Sequence, residues 1–272
     1  MAAWAGKTPE IQGLMLIGSR ERAAADTVWS ADALSDWDFY VITSRPKLFF
    51  SSAWAEGLPG MKLKVYVHHR TLDSRAPKVN ALFESAEVDL VILSHSLMRV
   101  AKLLVALGIH RRDGWGRRGL QAIAEVIRPG WRFLKGEGRW DPLFRRIVAE
   151  VPDPRMSNAD AIRVADVFVC NYVWIRRKLA RGEFVAAQRM LHREMAEANF
   201  RLLHELKLRR GERTFEKARR IERVALPNDV SLATVSARCE PDELRTALDR
   251  CAANCRQIMK GLAGNTWTWP QI

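Results

Sequence analysis

The sequence has only four cysteines in 272 residues, and none of them forms a Cys-x-x-Cys pair. That excludes a disulfide scaffold and points to a reducing compartment. No apolar run approaches the roughly 18 residues that a membrane span needs. One of the longest, Leu103–Ile109, is bracketed by Lys102 and Arg111. The N-terminus lacks the basic patch and long apolar stretch of a secretory signal. There is no internal repeat or low-complexity tract, and Gly and Pro, at 16 and 11 residues, are near ordinary usage. Collagen-like and disordered chains are thereby excluded. The expectation is a soluble cytoplasmic protein with no membrane partner.

What remains is a globular composition, 48% apolar and 28% charged, of a length that suits two modest domains. The net charge of +13 is unevenly spread. Residues 1–100 hold 11 Lys/Arg and 11 Asp/Glu, whereas residues 101–272 hold 33 basic and 20 acidic residues. A basic half points to a polyanionic partner (nucleic acid, nucleotide phosphates or an anionic surface) or to a solvated basic face.

The pattern of the chain changes along its length. Short apolar runs predict strands at Leu14–Ile17, Phe39–Thr43, Lys62–His68 and Val88–Leu93. A Gly-, Trp- and Arg-rich stretch follows, with a helix expected at Leu120–Ile127. A last strand is expected at Trp131–Leu134, closed by a Gly136–Gly138 turn. Val151-Pro-Asp-Pro154 punctuates the chain as a boundary. Beyond it, Ser157-Asn-Ala-Asp160 fits a capping box opening a helix that runs to Gly182. Phe184, Ala187, Leu191, Met195, Ala198, Leu202 and Leu206, spaced three or four apart, predict a second helix with one buried stripe. A third opens at Pro241-Asp-Glu243. The residues therefore predict an α/β domain followed by a helical bundle.

One constellation has chemical meaning. Leu14–Ile17 runs into Gly18-Ser19-Arg20, Ser35-Asp36-Trp37-Asp38 opens the next strand, and Asp89 lies inside an apolar strand. Side chains alternate along a strand, so Asp36 and Asp38 share one face about 6.5 Å apart, and Trp37, Phe39 and Val41 take the other, packed face. If the strand of Asp89 pairs alongside, three carboxylates converge. Their repulsion is resolved by a divalent cation, and Mg²⁺ prefers hard oxygen ligands shared with nucleotide phosphates. Gly18 permits close approach of a phosphate, and the Ser19 hydroxyl can donate to it. The chemistry implied is phosphoryl-type transfer.

This set resembles the motif of the nucleotidyltransferase superfamily with the DNA polymerase β-like catalytic fold. More narrowly, the chain resembles the aminoglycoside 6-adenylyltransferase (streptomycin adenylyltransferase-like) family. The resemblance rests on IGSR, SDWDF, ALFESAEVDLVIL, GWRFLKGEG, CNYVWIRRKLARGE, ARRIERVALP and PDELRTALDRC. It implies an α+β protein, with a nucleotidyltransferase (polymerase β-like) mixed-sheet domain over residues 1–150 and an all-α helical bundle over residues 151–272. It further implies ATP bound between the two, Mg²⁺ at the carboxylates, and transfer of AMP to a hydroxyl of a small molecule. Asp36 and Asp38 match the metal pair, and Asp89 matches the third carboxylate, metal ligand or general base. Gly18, Ser19 and Arg20 match the triphosphate segment. Asn171 and Lys178 fall on the matching helix, with Lys178 either a phosphate contact or, within Arg176-Arg-Lys178, a basic surface residue. The chain departs from the pattern in a long gap between Ser19 and Asp36 and in a short segment before the first strand. Its basic second half also argues against a polycationic aminoglycoside as acceptor, although Glu84, Glu87, Glu183 or Glu194 could line a pocket. An RNA-binding or RNA-modifying protein of the same fold, or a nucleotide-binding module without turnover, are the alternatives.

Other residues favour structural roles. Cys251 and Cys255 lie on the apolar stripe of the last helix and read as core thiols. His68-His69, His192 and His204 read as surface or boundary residues. Trp115, Trp131 and Trp140 sit among arginines, which predicts rings packed under Arg side chains or else a base-stacking surface.

Overall fold

The computed structural model describes residues 1–22, 31–71, 76–112, 114–212, 214, 221–224 and 227–272. Residues 23–30 of the long gap before Asp36, and residues 218–220, 225 and 226 of the ARRIERVALP segment, lie outside them. Two compact units are present, Met1–Pro154 and Arg155–Ile272. No helix among the described residues is long and apolar enough to cross a membrane.

In the first unit the order is α1 (Ala2–Lys7), β1 (Ile11–Ile17), β2 (Trp37–Thr43), α2 (Ala53–Glu56), β3 (Leu63–Arg70), β4 (Pro77–Phe83) and β5 (Glu87–Ser94). Then come α3 (His95–Ala106), α4 (Trp115–Ile127), β6 (Arg132–Lys135) and α5 (Glu137–Glu150). The strands form one mixed sheet in the order β3-β4-β5-β2-β1-β6. Among the described residues, only β2 and β5 pair in parallel. Both faces of the central strands are covered, which is why β1 and β2 read as unbroken apolar runs rather than alternating ones. Leu14, Leu16, Phe39 and Val41 face one core with Phe49 and Trp54. Met15, Ile17, Tyr40 and Ile42 face the other, packed against residues of α3, α4 and α5.

Several elements of this unit depart from the sequence expectation, β4, α3 and α5 among them. β4 is present where none is expected. Its alternation puts Val79, Ala81 and Phe83 in the core and Lys78 and Asn80 on the opposite side. α3 is capped by the Ser94 hydroxyl, which accepts from the Leu97 amide at 3.1 Å. The expected Gly136–Gly138 turn is instead the start of α5: Gly136, at φ +79°, precedes the helix, which contains Pro142. Trp140, Leu143, Phe144 and Ile147 form its buried stripe, and that burial outweighs the propensity cost of Gly138 and Pro142.

The second unit contains α6 (Asn158–Ala180), α7 (Phe184–Met190), a π-helical turn at Leu191–Ala196, and α8 (Glu197–Arg209). After these come α9 (Ile221–Val224), α10 (Pro227–Ala233) and α11 (Pro241–Ala263). Ser157 caps α6: its Oγ accepts from the Asp160 amide at 3.0 Å and donates to Asp160 Oδ2 at 2.6 Å. The predicted second helix is thus interrupted. The π turn rotates the stripe, so Asn199 rather than Ala198 is fully buried, and Asn199 Nδ2 donates to the Cys251 carbonyl at 3.2 Å. Cys251 and Cys255 lie in this core, where burial pushes both thiols up to about 12.

Candidate active site

Asp38 and Asp89 are register partners in the parallel β2–β5 pair, so their side chains leave the sheet side by side. Asp36 lies just before β2. Asp36, Asp38 and Asp89 each offer a carboxylate oxygen, and these oxygens lie within 4.8 Å of one another. Like charges that close cost about 3 kcal/mol per pair at an effective dielectric constant near 20, so the cluster favours a cation. Asp36 and Asp38 are half-buried and Asp89 is buried, 7% exposed.

Asp89 is held from β4. Lys78 Nζ lies 2.5 Å from Asp89 Oδ2, and Asn80 Nδ2 donates to Asp89 Oδ1. Asn80 is the register partner of Asp89 across the antiparallel β4–β5 pair, which places its amide beside the carboxylate. Neither residue was visible as part of the site from the sequence. The signal was the polar alternation of Lys78 and Asn80 within an otherwise apolar strand.

Gly18 ends β1 and opens a 3₁₀ turn, Gly18–Glu21. Its φ of +77° suits glycine, and a Cβ there would overlap the Asp38 carboxylate. So Gly18 makes room for Asp38 as well as for any ligand. Ser19 Oγ has no side-chain hydrogen bond among the described residues, which leaves it able to donate.

Arg20 already has partners. Its Nε donates to the Asp36 carbonyl at 3.0 Å and its Nη2 to the Ser35 carbonyl at 2.5 Å. The guanidinium also sits 4.1 Å from the Trp37 ring centroid. Trp37, expected on a packed face, is 37% exposed. It stacks on Phe39 at 6.4 Å with the rings 8° from parallel, and Arg20 covers it. Arg20 therefore fixes the segment that presents Asp36. Glu21, at the end of the turn, accepts from Arg132 of β6 through Nε at 3.0 Å and Nη2 at 2.9 Å. Both ends of the Gly18–Glu21 turn are thus anchored to the sheet.

Tyr40 follows Asp38 on the same face of β2. Burial, and then the charges of Glu125 and Asp38, push its phenol well above the ordinary value. It stays protonated through the physiological range.

Asn171 and Lys178 belong to the second unit. Asn171 is buried, and Lys178 Nζ is 2.8 Å from Glu183 Oε2. Of the acids considered for an acceptor pocket, Glu84 pairs with Lys62 at 3.3 Å and Glu183 with Lys178, while Glu87 and Glu194 are exposed. His68 and His69 lie on the exposed part of β3, with His68 against Phe50. Trp140 is buried beneath Arg139, and Trp131 Nε1 donates to Asp141 Oδ1 at 2.9 Å. Trp115 is 72% exposed.

No protein-family model and no curated protein matches the chain. Among solved structures the chain is similar to a nucleotidyltransferase-like protein from Exiguobacterium sibiricum 255-15. The identity is 15%, covering 97% of this chain and 74% of that one, with a TM-score of 0.36. It is also similar to an aminoglycoside 6-adenyltransferase from Bacillus subtilis, at 14% identity over 98% of this chain and 89% of that one, with a TM-score of 0.39.

Proposed function

We infer that this protein is a Mg²⁺-dependent nucleotidyltransferase that moves AMP from ATP to a hydroxyl of a small molecule. The observation that supports this reading most is the convergence of Asp36, Asp38 and Asp89 within 4.8 Å, beside a glycine turn that ends the neighbouring strand. Three hard oxygen donors of this kind suit Mg²⁺, which when bound with a triphosphate neutralises its charge and polarises the reacting phosphoryl group.

The chain's own residues supply the positioning. Asp36 and Asp38 form the metal pair. The Gly18 turn and the Ser19 hydroxyl receive the triphosphate. Arg20 holds the Asp36 segment through two carbonyl bonds. Asp89 serves as third ligand or as acceptor of the hydroxyl proton, with Lys78 and Asn80 fixing its orientation. In the transfer, the acceptor oxygen forms a bond to the α-phosphorus. The bond from that phosphorus to the bridging oxygen breaks, and pyrophosphate leaves with the electron pair.

Pyrophosphate release from ATP with a metabolite and antibiotic panel, read together with AMP-adduct masses, tests this. Asp36→Asn is expected to lower release at least about a hundredfold, the effect of several kcal/mol of lost charge stabilisation. Equal turnover by the variant would refute the metal assignment. The RNA reading draws on the 33 basic residues beyond residue 100. It requires an affinity that falls steeply with salt as counterions are released.

A further inference from the structure

The first unit has a cavity of about 610 Å³ between the sheet and helices α3 and α4. Its floor includes Tyr40 and Val91, one wall Leu97 and Val100, and the opposite wall Trp115 and Ile123. That volume is in the range of small-molecule sites, and the lining is mainly apolar. Among the described lining residues the only charged side chain is Arg118.

Its position relative to the carboxylates is set by strand geometry. Tyr40 lies two residues beyond Asp38, and Val91 two residues beyond Asp89, on the same face of adjacent paired strands. The floor therefore begins about 7 Å along the strands from the carboxylate row. In the sheet order, β1 with its Gly18 turn flanks β2 on one side and β5 flanks it on the other. A triphosphate at Gly18 and Ser19 places the leaving pyrophosphate on the β1 side. In-line displacement then brings the attacking oxygen from the β5 side, where Asp89 and the cavity lie.

We propose that this cavity binds the body of the acceptor, and that the acceptor is a neutral, largely apolar ring compound bearing one hydroxyl. This rests on the nucleotidyl-transfer reading of Asp36, Asp38 and Asp89. The apolar walls reward burial of ring carbons. A polycation gains nothing from them and is repelled by Arg118. An aminoglycoside is therefore the wrong class of acceptor for this pocket.

The probe is 2-naphthol, titrated calorimetrically into the full-length protein, with spermine as the cationic control. Two variants alter the cavity without burying strain. A Cβ at Gly119 meets nothing within 4 Å and its φ is ordinary, so Gly119→Phe projects a ring from α4 into the space. Leu97 is the third residue of α3 after the Ser94 cap, so Leu97→Glu completes a capping box while placing a charge on the wall. Expected results are that 2-naphthol binds and spermine does not. Each variant should weaken naphthol binding at least tenfold with the melting temperature retained, and Mg²⁺ with a non-hydrolysable ATP analogue should not displace the probe. Failure of naphthol to bind, equal binding by both variants, or displacement by the nucleotide analogue would overturn the proposal; the last would assign the cavity to the nucleotide base. Asp36→Asn separates the two claims, because it should lower pyrophosphate release at least about a hundredfold and leave naphthol binding within about twofold. If that variant turned over normally, the transfer reading would fail while the naphthol titration still reported on the pocket.

Discussion

Lys78 Nζ lies 2.5 Å from Asp89 Oδ2, and Asn80, two residues along the same strand, donates to the other oxygen of that carboxylate. A buried acid inside an apolar strand is thereby given a counter-charge and a fixed orientation by its neighbour β4. Lys78→Met leaves Asp89 buried without its cation and is expected to cost about 2 kcal/mol in denaturant unfolding. Mg²⁺ should restore more stability to this variant than to the parent protein. Equal stability of the two proteins without metal would show that the pair is incidental.

Gly18→Ala is expected to act on the site more than on the fold. The added methyl meets the movable end of Asp38 rather than backbone, so the carboxylate is displaced. The positive φ adds roughly 1 kcal/mol of strain. Circular dichroism should report a folded protein with a slightly lowered melting point. Pyrophosphate release should fall at least tenfold, and unchanged release would remove Gly18 from the site.

Arg20 makes two bonds to backbone carbonyls and covers Trp37, a geometry that a lysine ammonium cannot reproduce. Arg20→Lys should therefore weaken Mg²⁺ affinity about tenfold, as expected when a group supporting a metal ligand is lost. If Arg20 instead contacts only phosphate, nucleotide affinity should fall with Mg²⁺ affinity untouched. Titrating the two ligands separately distinguishes these outcomes.

The second unit should carry an acid-sensitive contact at Glu205, which is 3% exposed. Burial alone would raise its carboxyl. The bonds from Arg155, the Met156 amide and Arg209 outweigh it and hold the group below its ordinary value of 4.5. With the folded value depressed, the contribution is present above about pH 4.5 and is lost as pH falls through the folded value. Glu205→Gln should lower stability at pH 7 and flatten the acid limb of the stability–pH curve. An identical acid limb in parent and variant would contradict the assignment.

Much of the candidate site was legible because its parts are short-range signals. A strand running into Gly18-Ser19, Asp36 and Asp38 two apart, and Asp89 within an apolar run can all be read along the chain. The convergence of Asp89 on Asp38 depends on a parallel pairing that is not local, so the sequence could state it only as a condition. Lys78 and Asn80 were hidden because Pro77, which weighs against a strand, opens β4 and masks its alternation. α5 was hidden by Gly136, Gly138 and Pro142, which are turn residues by propensity and are overridden here by the buried Trp140–Ile147 stripe. The π turn at Leu191–Ala196 shifts the helical phase by about one residue, and a regular three-or-four spacing cannot reveal that.

The carboxylate site can be tested without knowing the acceptor, by calorimetric titration of a non-hydrolysable ATP analogue with and without Mg²⁺, into the parent protein and into Asp38→Asn. The account predicts binding that requires Mg²⁺ and that weakens at least tenfold in Asp38→Asn. Binding of equal strength without the metal, or to the variant, would contradict it.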